Sequence, residues 1–202
     1  FEEKQYTDIW NNDEYLQYMY ERLIILKELL SDKGTIMLHC DWHKVHLLRC
    51  MMDEIFGSSN FMNEIIWHYR TYQGQVKDYF PRKHDNILWY KKSERPIFKL
   101  TYQDNYQETV DFQRWRNFIV DTNKIKGDNY PTTDTRFDGY LKAWKDKNPD
   151  KLPTNKDVIM EVKGYVVDDV WVDIQAIDPK DKDERIGYPT QKPESLLERI
   201  ID

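Results

Sequence analysis

With 202 residues, 40% hydrophobic and 14% aromatic, including seven Trp and fourteen Tyr, the chain can bury the core of one ordinary domain or of one domain carrying an insertion. Charged residues reach 33%, and no apolar run approaches the ~20 residues of a bilayer span, so a helical membrane protein is excluded; no signal peptide is visible. The net charge of −6 argues against a nucleic-acid partner only until it is mapped, because residues 71–165 carry 18 basic and 14 acidic groups between two acidic flanks, which suits either a polyanion-facing insert or a solvated mixed surface.

Along the chain, residues 13–30 place Leu16, Met19, Leu23, Leu26 and Leu30 on one helical stripe. Asn11 or Asn12 is positioned to cap its start, and Gly34 to close its end. TIMLHC (35–40) reads as a short strand buried on both faces. A second helix over roughly 43–56 uses Val45, Leu48, Met52 and Ile55 and stops at Gly57, and residues 60–70 form another strand. Helix, strand, helix, strand is the rhythm of a doubly wound α/β sheet. HDNILWYKKS (84–93) continues as a strand, with IFKLTY (97–102) a further candidate. Residues 103–165 are polar, aromatic-rich and broken by turns, too long for a connection and therefore an inserted subdomain. The apolar pattern returns at 164–174, and the chain closes with a Gly-Tyr-Pro-Thr-Gln-Lys-Pro turn leading into a helix. Cys40 and Cys50 lie on different elements; two isolated, buried thiols suit a reducing cytoplasm.

Three constellations carry candidate chemistry. His39, Asp41, His43 and His46 have ligand spacing, but a strand end and the following helix need not bring them together, and Asp41 suits equally a helix cap or a ligand site at the carboxyl edge of a sheet. Trp67, Tyr69, Tyr72, Tyr79, Phe80, Trp89 and Tyr90 interleave with Arg70, Lys77, Arg82, Lys83, Lys91 and Lys92, cations for phosphates beside rings for unstacked bases, although Trp67 and Trp89 suit a core. In the closing turn, Pro189 and Pro193 stiffen Thr190-Gln191-Lys192, offering a hydroxyl, an amide and a cation to a carboxylate or phosphate. Nucleophile-elbow, P-loop, dinucleotide and CxxC motifs are absent from the sequence.

The succession EYLQYMYERLIILKELLSDKGTIMLHCD, MMDEIFGSSNFMNEIIWHYR, FPRKHDNILWYKKS, DVWVDI and ERIGYPTQKPESLLERII resembles the beta-ordered DNA adenine amino-methyltransferases, the group that includes the modification subunits of type III restriction systems. GYPTQKP after DVWVDI and ER is the most specific part. The likeness covers about two thirds of the chain, and residues 103–163 match nothing in it.

The resemblance implies an α/β fold: a partial Rossmann-like methyltransferase sheet in residues 1–70, an inserted target-recognition subdomain in 71–165, and a return to the core in 166–202. It implies an enzyme that transfers a methyl group from S-adenosylmethionine to the exocyclic amine of adenine in double-stranded DNA, in the cytoplasm. Its expected partners are a restriction subunit and a second methyltransferase subunit. Thr190, Gln191 and Lys192 would hold the cofactor. Lys77, Arg82, Lys83, His84, Lys91 and Lys92 would contact DNA, while His39 and Asp41 would support a catalytic turn, with no metal involved. The family's Asp-Pro-Pro-Tyr-type turn and Gly-rich cofactor loop do not occur in these 202 residues, so the segment is expected to be internal and inactive by itself. Two other readings compete: a non-catalytic DNA-binding module of the same descent, and a metal-dependent hydrolase around His39, Asp41 and His43.

Overall fold

Helix α1 (Asn12–Leu29) opens the part of the chain that the computed structural model describes, namely residues 12–70, 76–93, 95–178, 180, 183–188 and 190–201. Asn11 and the Asn12 side chain, the expected caps, lie outside those residues. Asp13 and Glu14 in the first turn and Lys27 in the last favour the helix dipole. Only Leu23 of the apolar stripe is fully buried, with Met19 and Leu30 packed against it, and Leu26 stays exposed. Gly34 does not end the helix through a left-handed conformation. Its N–H closes a turn onto Ser31 O at 2.9 Å, and an added Cβ would lie 3.0 Å from that same carbonyl.

Strand β1 (Thr35–Cys40) leads to α2 (Val45–Phe56), which buries Leu48, Met52, Ile55 and Phe56. Burying each such side chain stabilises the fold by about 2 kcal/mol. Gly57, at φ +91°, sends its N–H to Asp53 O at 3.0 Å and terminates α2 as expected. Strands β2 (Phe61–His68) and β3 (His84–Lys91) follow. Two short pieces from the end of the chain complete this region, β7 (Val170–Trp171) in its sheet and α5 (Glu194–Ile201) beyond it.

The four strands are ordered β1-β3-β2-β7. Both β1 and β2 pair with β3 antiparallel, and β2 pairs with β7 parallel. Strands β1 and β2 therefore run parallel to each other with β3 wedged between them in the opposite sense. This is a mixed sheet, in an α/β arrangement of the kind the helix–strand rhythm suggested. The expected burial of β1 on both faces moves to β3. Asn86 through Tyr90 are all buried, whereas β1, at the edge of this sheet among the described residues, buries only Cys40. Leu88 and Tyr90 of β3 join Leu23, Leu48, Met52 and Phe56 in one core. Ile87 and Trp89 alternate with them onto the other face, where Phe98 packs 5.3 Å from the Trp89 ring. Cys40 is buried, and burial first, then neighbouring carboxylates, push its thiol up to about 12. Cys50, expected to be buried, is exposed on α2.

Residues Leu100–Val167 form a second compact unit. It contains α3 (Val110–Trp115), β4 (Ile119–Asp121), β5 (Lys124–Lys126), α4 (Asp138–Lys147) and β6 (Val158–Glu161), with an antiparallel sheet ordered β4-β5-β6. Thr109 caps α3 by accepting the Phe112 N–H at 3.2 Å. Trp115, Ile125, Phe137, Ile159, Met160 and Val162 make its core, so a stretch that reads as irregular has an apolar centre of its own. Gly127 is required for close approach, because a Cβ there would meet the Pro153 Cβ at 2.4 Å. The unit runs from Leu100 to Val167, and β3 lies inside the four-stranded sheet of the first unit. Within IFKLTY, Tyr102 makes an isolated bridge to Val166 and no strand forms. Among the described residues, no helix is long and apolar enough to cross a membrane.

Candidate functional site

Parallel strands in an α/β sheet present their carboxyl ends to ligands, and the polar residues of the first unit gather at that end of β1 and β2. Because β3 runs the other way, its first residues arrive at the same edge. His39 near the end of β1 lies 3.0 Å from Asp85 Oδ2 through its Nε2. Trp67, opposite Asp85 in the β2–β3 register, holds its ring 5.9 Å from His39 and 4.5 Å from Tyr69. Its indole N–H donates to Ile174 O at 2.9 Å, and both Trp67 and Trp89 are buried, as a core role requires.

Asp85 is the hub. Burial pushes its carboxyl up, but the His39 hydrogen bond and charge, the Tyr69 hydroxyl and the Lys192 ammonium outweigh burial and hold it below the ordinary carboxylate value. Tyr69 is shifted the other way, raised first by burial and then by the Asp85 charge and hydrogen bond. The charge of Lys192, in the closing turn, thus reaches Asp85. Sequence reasoning singled out His39 and Lys192 but missed Asp85. Its only signal was a carboxylate standing between a basic run and a strongly apolar strand.

The closing turn is braced by its own side chains. Gln191 donates from Nε2 to Glu184 O at 2.7 Å and accepts the Ile186 N–H at 3.0 Å through Oε1. Glu184 Oε1 accepts the Glu194 N–H at 2.6 Å at the start of α5. Lys192 Nζ donates to Thr190 O at 3.3 Å, and the Thr190 side chain is exposed. Pro189 lies outside the described residues. Arg199 of α5 makes a two-pronged contact with Asp173 at 2.8 and 2.6 Å, a hydrogen bond that lowers the Asp173 pKa.

The histidine-rich run separates into different local pairs. His39 turns to Asp85, whereas Asp41 accepts the His43 backbone N–H at 3.0 Å and pairs with its Nδ1 at 2.9 Å. His46 is exposed on α2. Among the described residues, no group of three or more metal-ligating side chains is assembled.

The candidate DNA-contacting cations also divide. Arg82 lies 3.8 Å from the Trp42 ring centroid and 4.7 Å from that of Tyr79, and Lys83 O accepts the Tyr69 N–H at 3.1 Å. Lys77 is exposed, and His84 opens β3 at the same edge. Lys91 ends β3 opposite Thr35 at the far edge. Lys92 Nζ donates to Leu30 O and, at 3.3 Å, to Glu28 O, neutralising the carbonyl end of α1. Tyr72 lies outside the described residues.

The type III restriction-modification enzyme StyLTI Mod subunit of Salmonella typhimurium is 26% identical over 222 aligned positions, covering 93% of this chain and 34% of its own length. The type II methyltransferase M.EcaI of Enterobacter cloacae is 35% identical over 96 residues, 48% of this chain and 21% of its own. The type III enzyme EcoP15I Mod subunit of Escherichia coli is 29% identical over 83 residues, 41% and 13% respectively. The chain spans about a third or less of the length of these relatives. The DNA methylase family of N6- and N4-methyltransferases matches residues 1–202 throughout, and the chain belongs to that family.

Proposed function

We propose that this chain is part of a site-specific DNA methyltransferase of a restriction-modification system, acting on the exocyclic amine of adenine in double-stranded DNA. The observation that supports the proposal, beyond family membership, is the His39–Asp85 pair at 3.0 Å at the carboxyl edge of β1 and β2, with Asp85 also bonded to Tyr69 and subject to the charge of Lys192. The mixed sheet is then one side of a Rossmann-like methyltransferase sheet. The flanking segments, 1–70 and 166–202, belong to the catalytic core, and the target-recognition function falls on the insert, centred on Leu100–Val167. The working location is the cytoplasm, with a restriction subunit and a second methyltransferase subunit as partners.

S-adenosylmethionine supplies an electrophilic methyl group when bound. The closing turn fits its amino-acid portion in charge: Lys192 offers an ammonium and Thr190 an exposed hydroxyl to a carboxylate. Gln191 has both ends of its amide engaged within the turn, so it shapes the site rather than holding the ligand. Adenine must leave the duplex to be reached. Asp85 fixes the Tyr69 hydroxyl and the His39 ring, and Trp67 packs its buried ring against both, so that Tyr69 is held beside the reacting position. Asp41, paired to His43, supports the turn after β1. Positioning of this kind supplies much of the rate in group transfer.

The test is the full-length protein incubated with tritiated S-adenosylmethionine and duplex DNA, followed by nucleoside analysis. N6-methyladenine is the expected product. N4-methylcytosine would overturn the adenine assignment, and no label in either base would overturn the enzyme.

A further inference from the structure

We infer that Phe80 is a wedge that enters the base stack of duplex DNA and fills the gap left by an extruded nucleotide. The inference rests on the proposed action on DNA and assigns a residue to a step that the established family membership leaves open. Phe80 is 94% exposed, more than any other large apolar side chain among the described residues. An isolated ring in full contact with water gains nothing for the fold, yet its loop is held in place. The Lys83 carbonyl is bonded to Tyr69 N–H, and Arg82 stacks on both Trp42 and Tyr79. Pro81 restricts the backbone of Phe80 to extended conformations, which narrows the ways the ring can be presented.

Position and charge agree. Trp42 follows the carboxyl end of β1 by two residues, and Tyr69 follows that of β2 by one. The loop bearing Phe80 is therefore anchored to the edge where His39, Asp85 and Tyr69 gather. Lys77, Arg82 and Lys83 surround the ring in sequence against a single carboxylate, Asp78, a balance that suits phosphates on either side of an opened base step. Apolar side chains inserted between base steps unstack them, and an enzyme that extrudes a base leaves a gap that such a side chain can occupy.

The experiment compares fluorescein-labelled duplexes, intact or carrying one abasic site, by anisotropy with the full-length wild-type protein, Phe80→Ala and Phe80→Trp. Aromatic stacking on bases implies a loss of about tenfold or more in affinity for the abasic duplex on Phe80→Ala. Phe80→Trp should retain that affinity, and the salt dependence on intact duplex should be the same in all three. The side chain is exposed, so the melting temperature of Phe80→Ala should match wild type and exclude a folding defect. If wild type shows no preference for the abasic duplex, or if Phe80→Ala keeps it or weakens both duplexes equally, the wedge is wrong. If wild type binds no duplex at all, the DNA reading itself fails, a result distinct from loss of the preference alone.

Discussion

Strand β3 ends in cations on both sides, and the two ends use them differently. At the His84 end, Arg82 is stacked on Trp42 and Tyr79 beside the Asp85 cluster. At the other end, Lys92 lies against the carbonyls of α1, and Lys91 pairs in register with Thr35. The strand between them, His84–Lys91, spans roughly 24 Å at ~3.4 Å per residue. The proposed ligand site lies at the first end, and the cation Lys92 at the other serves the fold. In a linear sequence both are simply Lys and Arg near aromatic residues, so charge alone cannot tell a binding cation from a helix-capping one.

The largest effect should come from the ligand end. Lys192→Met keeps much of the side-chain stem while removing the charge. An ammonium–carboxylate contact contributes about 1.5–3 kcal/mol, so the dissociation constant for S-adenosylmethionine in the full-length protein should rise about ten- to a hundredfold by calorimetry. DNA affinity without cofactor should stay the same. Intact cofactor binding together with a collapse of DNA binding would mean that the turn faces nucleic acid.

Next in size is the contrast between the two ends. Replacing Arg82 and Lys83 by Ala should weaken binding to every duplex and flatten the plot of log affinity against log salt, by up to ~0.9 for each phosphate no longer neutralised. Lys91→Ala and Lys92→Ala should leave the slope untouched. Equal slopes in the two double variants would erase the distinction between the ends.

Lys92→Met then measures the structural end directly. Removing the cation from the last carbonyls of α1 should lower unfolding stability by about 1–2 kcal/mol, read from a denaturant titration, with no change in DNA affinity. A variant as stable as wild type would show that the Glu28 and Leu30 hydrogen bonds contribute nothing.

The smallest effect is the most diagnostic of Asp85. Its folded pKa lies below the ordinary value, so the unfolded chain binds the proton more readily. The stabilisation is complete above the ordinary carboxylate value near pH ~4 and is lost as pH falls through the folded value. Asp85→Asn should cost about 1 kcal/mol at neutral pH and flatten this part of the acid limb. An acid limb unchanged in Asp85→Asn would remove Asp85 from its place as hub.

Much of this was legible from local pattern. The stripes of α1 and α2, the stop at Gly57 and the strands at 61–68 and 84–91 follow from periodicity and backbone preference, which act within a few residues. The order of motifs ending in GYPTQKP carried the family, because it is a linear property of the chain. The pairing of His39 with Asp85, and the reach of the Lys192 charge to it, were not legible, since His39 and Lys192 stand 46 and 107 residues from Asp85 in sequence.

Tertiary structure alone decided that β3 lies between β1 and β2, antiparallel to both, so that the sheet is mixed. It also placed TIMLHC at the edge of the sheet among the described residues and made HDNILWYK its buried centre. Strand pairing joins residues far apart in the chain, and the alternation of side chains tells which residues share a face but not which neighbour covers them. For the same reason the sequence determined that Lys91 and Lys92 are cations on a strand end. Only the fold could decide that Lys92 meets the open carbonyls of α1 while Arg82 meets two aromatic rings.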